Sequence, residues 1–208
     1  MMEVLQDSYD YLLRGGWVMV PLLLCSLVMW ALIAERLRTF RLMTHDDITP
    51  ELAIRAVQGE KVNIYVAGLR ADLVKSFMNQ RSGDPVLDRE ILRQCALNQR
   101  PALSQNLAAI GVLAAVAPLL GLLGTVLGMI ETFDVISFFG TGNAKAMAGG
   151  ISVALITTQT GLIVAIPGLF LSGVLTRRAH QLGLRLDEVT TVLDRVVKRA
   201  PGRKGETR

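Results

Sequence analysis

Two apolar stretches hold the residues best suited to chemistry. The first, Ala117 to Phe133, reads APLLGLLGTVLGMIETF, and the second, Gly149 to Pro167, reads GGISVALITTQTGLIVAIP. Each sets a threonine among small residues at helical spacing. Thr125 stands with Gly121, Gly124 and Gly128, and Thr158 with Ala154, Gly161 and Ala165. A hydroxyl does not titrate near neutrality. What it offers is hydrogen bonding to water or to a carboxyl group. Small residues at such spacings let helix backbones approach closely in lipid. The pattern suits helices that pack tightly and show a polar stripe to something narrow, as those of a pore-forming subunit do.

A threonine in a membrane helix also satisfies itself by bonding a carbonyl four residues back, which is a purely structural role. Depth argues for more. The loop between the stretches centres on Thr141; Thr125 precedes it by 16 positions and Thr158 follows it by 17. In an antiparallel hairpin the two hydroxyls sit level, and they form a polar ring if the subunit repeats around an axis. Gly121, Gly128, Ala154 and Gly161 are then expected to line the same pore. Thr157, Gln159 and Thr160 add further polar groups. The amide of Gln159 must find partners, either across a helix interface or in the pore. Glu131 and Asp134, three residues apart near the outer end of the stretch, read either as a cation-attracting mouth or as an ordinary solvated helix end. Pro167 frees the carbonyl of Ile163 and is expected to bend its helix.

The elements that hold these residues follow from the charges. Residues 15–34, 101–130 and 146–176 contain no Asp, Glu, Lys or Arg. A spanning helix needs about 20 predominantly apolar residues. The fold class is therefore an all-α membrane protein with three transmembrane helices and helical extensions outside the bilayer. The expected division is a leader over 1–14, span one over 15–35, a helical region over 36–103, span two over 104–139, a loop over 140–146, span three over 147–175, a tail helix over 176–199 and a disordered end over 200–208. The acidic leader (Glu3, Asp7 and Asp10 against Arg14) and the basic run after span one argue against a cleaved signal peptide. Of 22 Lys and Arg, only Arg14 and Lys145 fall on the side of the N-terminus; 11 lie from Arg36 to Arg100 and nine from Arg177 onward. The positive-inside rule then puts the N-terminus outside and the C-terminus inside. The net charge of +4 is thus topological and needs no nucleic acid.

Outside the spans, Thr49-Pro50-Glu51 and Asp84-Pro85 read as helix starts, with a second helix expected over about residues 66–79. Pro101 is expected to kink or break the entry into span two. Leu182, Leu186, Val189, Leu193 and Val196 or Val197 give the tail helix one apolar face. Cys25 and Cys95 are too far apart to form a disulfide framework, and the isolated His45 and His180 offer no metal cluster. No nucleophile–base pair or phosphate loop is present, so no enzyme and no cofactor is expected.

AAVAPLLGLLGTVLGMIETF followed by MAGGISVALITTQTGLIVAIPGLFLSGVL resembles the MotA/TolQ/ExbB proton-channel family, and most of all its ExbB branch. The resemblance is strong over residues 109–178 and weaker but consistent over 15–41. It implies a ring-shaped homo-oligomer, generally a pentamer, in the bacterial inner membrane, with the N-terminus periplasmic and the C-terminus cytoplasmic. It also implies an ExbD-like single-span partner bearing a membrane aspartate, a TonB-like protein beyond it, contact with lipids, and protons as the coupling ion. The family's two pore threonines correspond to Thr125 and Thr158. Many members carry a glutamate in a motif like GIxEAL, where this chain has Val153 in GISVAL. Proton carriage would then fall to a partner's aspartate. A TolQ-type role in the envelope and a non-conducting scaffold are the alternatives; a MotA-type stator fits less well, because that branch has four spans.

Overall fold

The computed structural model describes residues 15–45, 47–58 and 68–199. The leader, the end beyond residue 199, and Val66 at the expected start of the second helix lie outside the described residues. Among the described residues every regular element is helical. They are α1 (Met19–His45), α2 (Pro50–Val57), α3 (Leu69–Gln80), α4 (Pro85–Ser104), α5 (Leu107–Phe139), a 3₁₀ turn (Gly140–Gly142) and α6 (Ala144–Arg199). Three helices are long and apolar enough to cross a membrane, with their candidate spans within Met19–Thr44, Pro85–Phe139 and Ala144–Lys198. By length and composition these three helices make the chain a multi-pass membrane protein.

Contacts divide the chain into two units. The first comprises the described residues of 1–34 with 106–174. Its core consists of Leu22, Cys25, Met29 and Ile33 from α1, Ile110, Ala114 and Ala117 from α5, and Ala154, Val164 and Ala165 from α6. Gly168 admits Met29 and Ala114 at close range. Much apolar surface remains outward, including Leu27 at 73% and Phe170 at 71% exposure. In water that would drive aggregation; in a bilayer it is the ordinary solvent-facing surface. Trp17, 91% exposed at the head of α1, suits the membrane–water interface favoured by tryptophan.

The second unit comprises the described residues of 35–105 with 175–208. Thr49 caps α2 by accepting from the Leu52 N–H at 3.4 Å, and Asp84 caps α4 by accepting from the Val86 N–H at 2.9 Å. Asp47 caps α3 from a distance: its Oδ1 accepts from the N–H groups of Arg70 (2.9 Å) and Ala71 (3.3 Å). Phe77, Leu73, Val74 and Leu92 fill the interior. Along the end of α6, Leu182, Leu186, Val189, Leu193 and Val197 are buried, which is the stripe that the sequence spacing predicts. Span three and the tail helix form one uninterrupted helix that continues through Pro167.

The entry to α5 differs from the sequence expectation. Pro101 lies inside α4, and the interruption comes later, at Gln105-Asn106, where Asn106 adopts φ 60°. Asparagine tolerates this left-handed conformation better than most residues. Pro101 removes the hydrogen bond to the Leu97 carbonyl, and the helix ends within one turn after it, at Ser104.

Candidate functional site

The hairpin of α5 and α6 is built on absent side chains. A β-carbon on Gly121 would lie 3.0 Å from the Thr157 carbonyl oxygen and 3.2 Å from the Thr158 Cα. One on Gly128 would lie 2.8 Å from the Ala154 nitrogen, and one on Gly161 would lie 2.8 Å from the Ala117 carbonyl oxygen. Gly124 faces the Thr157 side chain, and Gly150 faces Thr132. These contacts pair Gly121 with Gly161, Gly124 with Thr157 and Gly128 with Ala154 in one antiparallel register. The backbones meet along a seam, as small residues allow in lipid.

In this register Thr125 is level with Thr157, so it sits within about one helical rise (~1.5 Å) of the depth of Thr158. The two threonines also lie on one side. At 100° per residue, Thr125 stands about 60° from the centre of the α5 seam stripe and Thr158 about 70° from the centre of the α6 stripe, in the same rotational sense. In antiparallel neighbours, equal senses of rotation point to the same side of the pair. Both residues are half-buried, at the rim of the seam.

Their hydroxyl protons are already committed. Thr125 Oγ1 donates to the Leu122 carbonyl at 2.6 Å, and Thr158 Oγ1 to the Ala154 carbonyl at 2.9 Å. A hydroxyl oxygen keeps two lone pairs after donating its proton. The pair therefore presents two acceptors at one depth, able to receive a hydrogen bond from water, hydronium or a protonated carboxyl. Neither can relay a proton by titrating.

The remaining candidates separate. Gly121, Gly128, Ala154 and Gly161 are buried in the seam within this chain. Thr157 joins them at 0% exposure, its hydroxyl satisfied by the carbonyls of Val153 (2.9 Å) and Ala154 (3.0 Å). Gln159 is exposed, on the side of α6 away from the seam. Glu131 and Asp134 are exposed. Asp134 lies nine positions after Thr125, about 180° around the helix from it, and Glu131 about 120°. The structure therefore does not bring these carboxylates to the threonine side. Val153 is half-buried, with a β-carbon on Gly16 of the α1 approach placed 3.5 Å from its Cγ1. Among the described residues no group of three His, Cys, Asp or Glu could hold a metal.

One residue with a structural role has no local sequence signal. Arg36 is 2% exposed, and its guanidinium donates to the carbonyls of Gln105 (Nε, 2.5 Å) and Ala102 (Nη2, 2.9 Å). It also lies over the Phe40 ring, 5.6 Å from the centroid. The carbonyl end of a helix is its negative pole, so a cation there both satisfies the orphan groups and complements the dipole. Read along the sequence, Arg36 is one of several basic residues flanking a span.

Comparison with known proteins places this geometry. The chain is 32% identical over 184 residues to the biopolymer transport protein exbB1 of Vibrio cholerae, covering 80% of this chain and 76% of that one. It is 29% identical over 202 residues to the Tol-Pal system protein TolQ of Haemophilus influenzae, covering 86% of this chain and 88% of that one. Against the biopolymer transport protein ExbB of Aquifex aeolicus, identity rises to 43% over 79 residues, covering 38% of this chain and 53% of that one. Residues 57–188 match the family model described as the MotA/TolQ/ExbB proton channel family. With that match spanning most of the chain, and with the seam and its two rim threonines inside it, the chain belongs to the MotA/TolQ/ExbB proton channel family.

Proposed function

We propose that this chain is the proton-channel subunit of an ExbB–ExbD type motor in the bacterial inner membrane, coupling the proton motive force to TonB-dependent transport across the outer membrane. The observation that carries the reading is the placement of Thr125 and Thr158 at one depth on one side of a glycine seam. Copies of the chain form a ring, generally a pentamer, with that side facing its axis. The N-terminus is periplasmic and the C-terminus cytoplasmic, in keeping with the Lys and Arg distribution. Within the ring stand the single spans of ExbD-like subunits. Their membrane aspartate carries the proton, and the threonine oxygens accept hydrogen bonds from the protonated carboxyl or from water beside it. This division of labour suits a chain with Val153 rather than a carboxylate in its third span.

The test is reconstitution with the ExbD-like partner in proteoliposomes and measurement of proton flux. Thr158→Val keeps the shape and removes the hydroxyl, and it should abolish most flux while assembly stays normal. Neutralising the partner's aspartate should do the same. Unchanged flux in Thr158→Val would leave the threonines as packing residues and favour a non-conducting scaffold.

A TolQ-type role in the Tol-Pal envelope system has support of its own, because the alignment with TolQ of Haemophilus influenzae extends over 88% of that protein. Copurification with an ExbD-like or a TolR-like subunit separates the two roles.

A further inference from the structure

In the second unit, α1 and α6 enclose a groove of about 760 Å³. Phe40 and Leu182 are buried and form its floor, while Arg41, Arg178, Arg185 and Leu42 are exposed around it. Among the described residues the lining includes three guanidinium groups and no carboxylate. None of the three arginines forms an ion pair among the described residues. A second groove in the same unit, lined by Arg89, Glu90, Arg93 and Asp194, contrasts with it: there Arg89 and Asp194 pair at 2.7 Å. One groove neutralises its charge internally, and the other leaves three like charges around an apolar floor.

Position along the chain narrows what could fill it. Arg178 lies two residues beyond the charge-free stretch that ends at Thr176, and Arg41 lies seven beyond the one that ends at Ala34. At about 1.5 Å per residue these offsets amount to roughly 3 and 10 Å, and Arg185, nine residues beyond Thr176, lies about 14 Å out. The three thus run from within the headgroup layer, about 5–8 Å deep, to just outside it, within reach of a long side chain. Both helices leave their apolar stretch in the N-to-C direction, and helical side chains tilt toward the N-terminus. Arg41, Arg178 and Arg185 thus lean back toward the membrane surface. The guanidinium fork matches phosphate oxygens bidentately.

We propose that this groove binds an anionic phospholipid, its phosphodiester held by Arg41, Arg178 and Arg185 and its glycerol and first acyl carbons lying against Phe40, Leu42 and Leu182. The site depends on the membrane placement of the chain and is independent of whether it conducts protons.

The test titrates the purified full-length protein in detergent with phosphatidylglycerol and, separately, phosphatidylcholine, and reads bound lipid by native mass spectrometry. Phosphatidylglycerol should bind in clear preference. The triple variant Arg41→Gln/Arg178→Gln/Arg185→Gln should lower its affinity about tenfold to a hundredfold while leaving phosphatidylcholine unchanged. The triple lysine variant should keep most of the preference, and Arg55→Gln/Arg93→Gln, outside the groove, should keep all of it. Equal binding of the two lipids, or undiminished phosphatidylglycerol binding by the triple glutamine variant, overturns the proposal. Displacement of the lipid by millimolar inorganic phosphate overturns it in favour of a free-phosphate site. Oligomer dissociation in the triple glutamine variant, with no lipid held by the parent chain, overturns it in favour of a contact between copies.

Discussion

The side chain of Thr157 fills the space that a β-carbon on Gly124 would need. This contact sits in the middle of the α5–α6 seam, and both partners are buried. Overpacking of a tight core costs about 1–3 kcal/mol. Gly124→Ala should therefore lower the thermal stability of the detergent-solubilised protein. Thr157→Ala should return part of that loss when combined with Gly124→Ala, because it removes the atoms the new methyl meets. A double-mutant cycle on unfolding free energy checks the coupling; additive effects would mean that the two residues do not share this space.

The seam also shows how far the sequence could be read. The three apolar spans, the helix starts at Thr49 and Asp84, and the apolar stripe from Leu182 to Val197 were legible because each rests on local composition or spacing. The small-residue pattern announced a close helix pair, yet it did not say which of two adjacent threonines enters it. Spacing from Ala154 fits Thr158 (four residues) and Thr157 (three) equally well, since both are helical repeats. The register that decides depends on where the loop turns and on the contacts along both helices. Arg36 was opaque for a similar reason. Its partners, Ala102 and Gln105, lie 66 and 69 positions away, and nothing local marks them. Pro101 drew attention as a breaker, but the interruption follows the left-handed residue Asn106 instead.

Arg36 should matter for stability out of proportion to its place among the basic flanking residues. Its two hydrogen bonds are charge-assisted and buried, and such bonds contribute about 1.5–3 kcal/mol each. Arg36→Met keeps much of the apolar stem and leaves the carbonyls of Ala102 and Gln105 without their donor. The expected result is a loss of about 2 kcal/mol or more, with faster amide exchange around residues 100–110, measured by hydrogen–deuterium exchange. Unchanged exchange there would show that water replaces the guanidinium at no cost.

Asp88 predicts an acid-dependent stability. It is 1% exposed, and burial alone would push its pKa up. Donors outweigh burial: the Ser82 N–H (2.7 Å) and hydroxyl (3.0 Å), the Arg81 Nε (3.1 Å) and the Gly83 N–H (3.2 Å) hold the carboxyl below its ordinary value. A folded pKa below the unfolded one means that its contribution is fully present above the unfolded value, about 3.9. The contribution is lost as pH falls through the folded value. Asp88→Asn should destabilise the protein at neutral pH and flatten the acid limb of its stability curve relative to the parent. Parallel curves for the two proteins would remove Asp88 as the cause.

The pairs Arg89–Asp194 (2.7 Å) and Arg100–Asp187 (2.6 Å) join α4 to the end of α6 and lie at the surface. Exposed pairs are screened and typically contribute about 0.2–1 kcal/mol. Double-mutant cycles should give coupling energies in that range, falling as ionic strength rises from 0.05 to about 0.5 M. A coupling well above 1 kcal/mol that salt does not weaken would point to burial of these pairs in an assembly.

Asp134 and Thr125 share α5, yet they point in opposite directions, about 180° apart around the helix. If the threonine side faces the ring axis, Asp134 faces away from it, toward lipid headgroups or a neighbouring element. Asp134→Asn should then leave proton flux within about twofold of the parent, because an interfacial charge away from the pathway adds little to the local field. Thr125→Val should reduce flux at least about tenfold, the loss expected when one hydrogen-bonding group of about 1.4 kcal/mol leaves the conduction path. Both variants should assemble normally, since neither residue lies in the seam. The reverse ranking, with flux sensitive to Asp134 and indifferent to Thr125, would turn the hairpin around and put the carboxylate side on the axis.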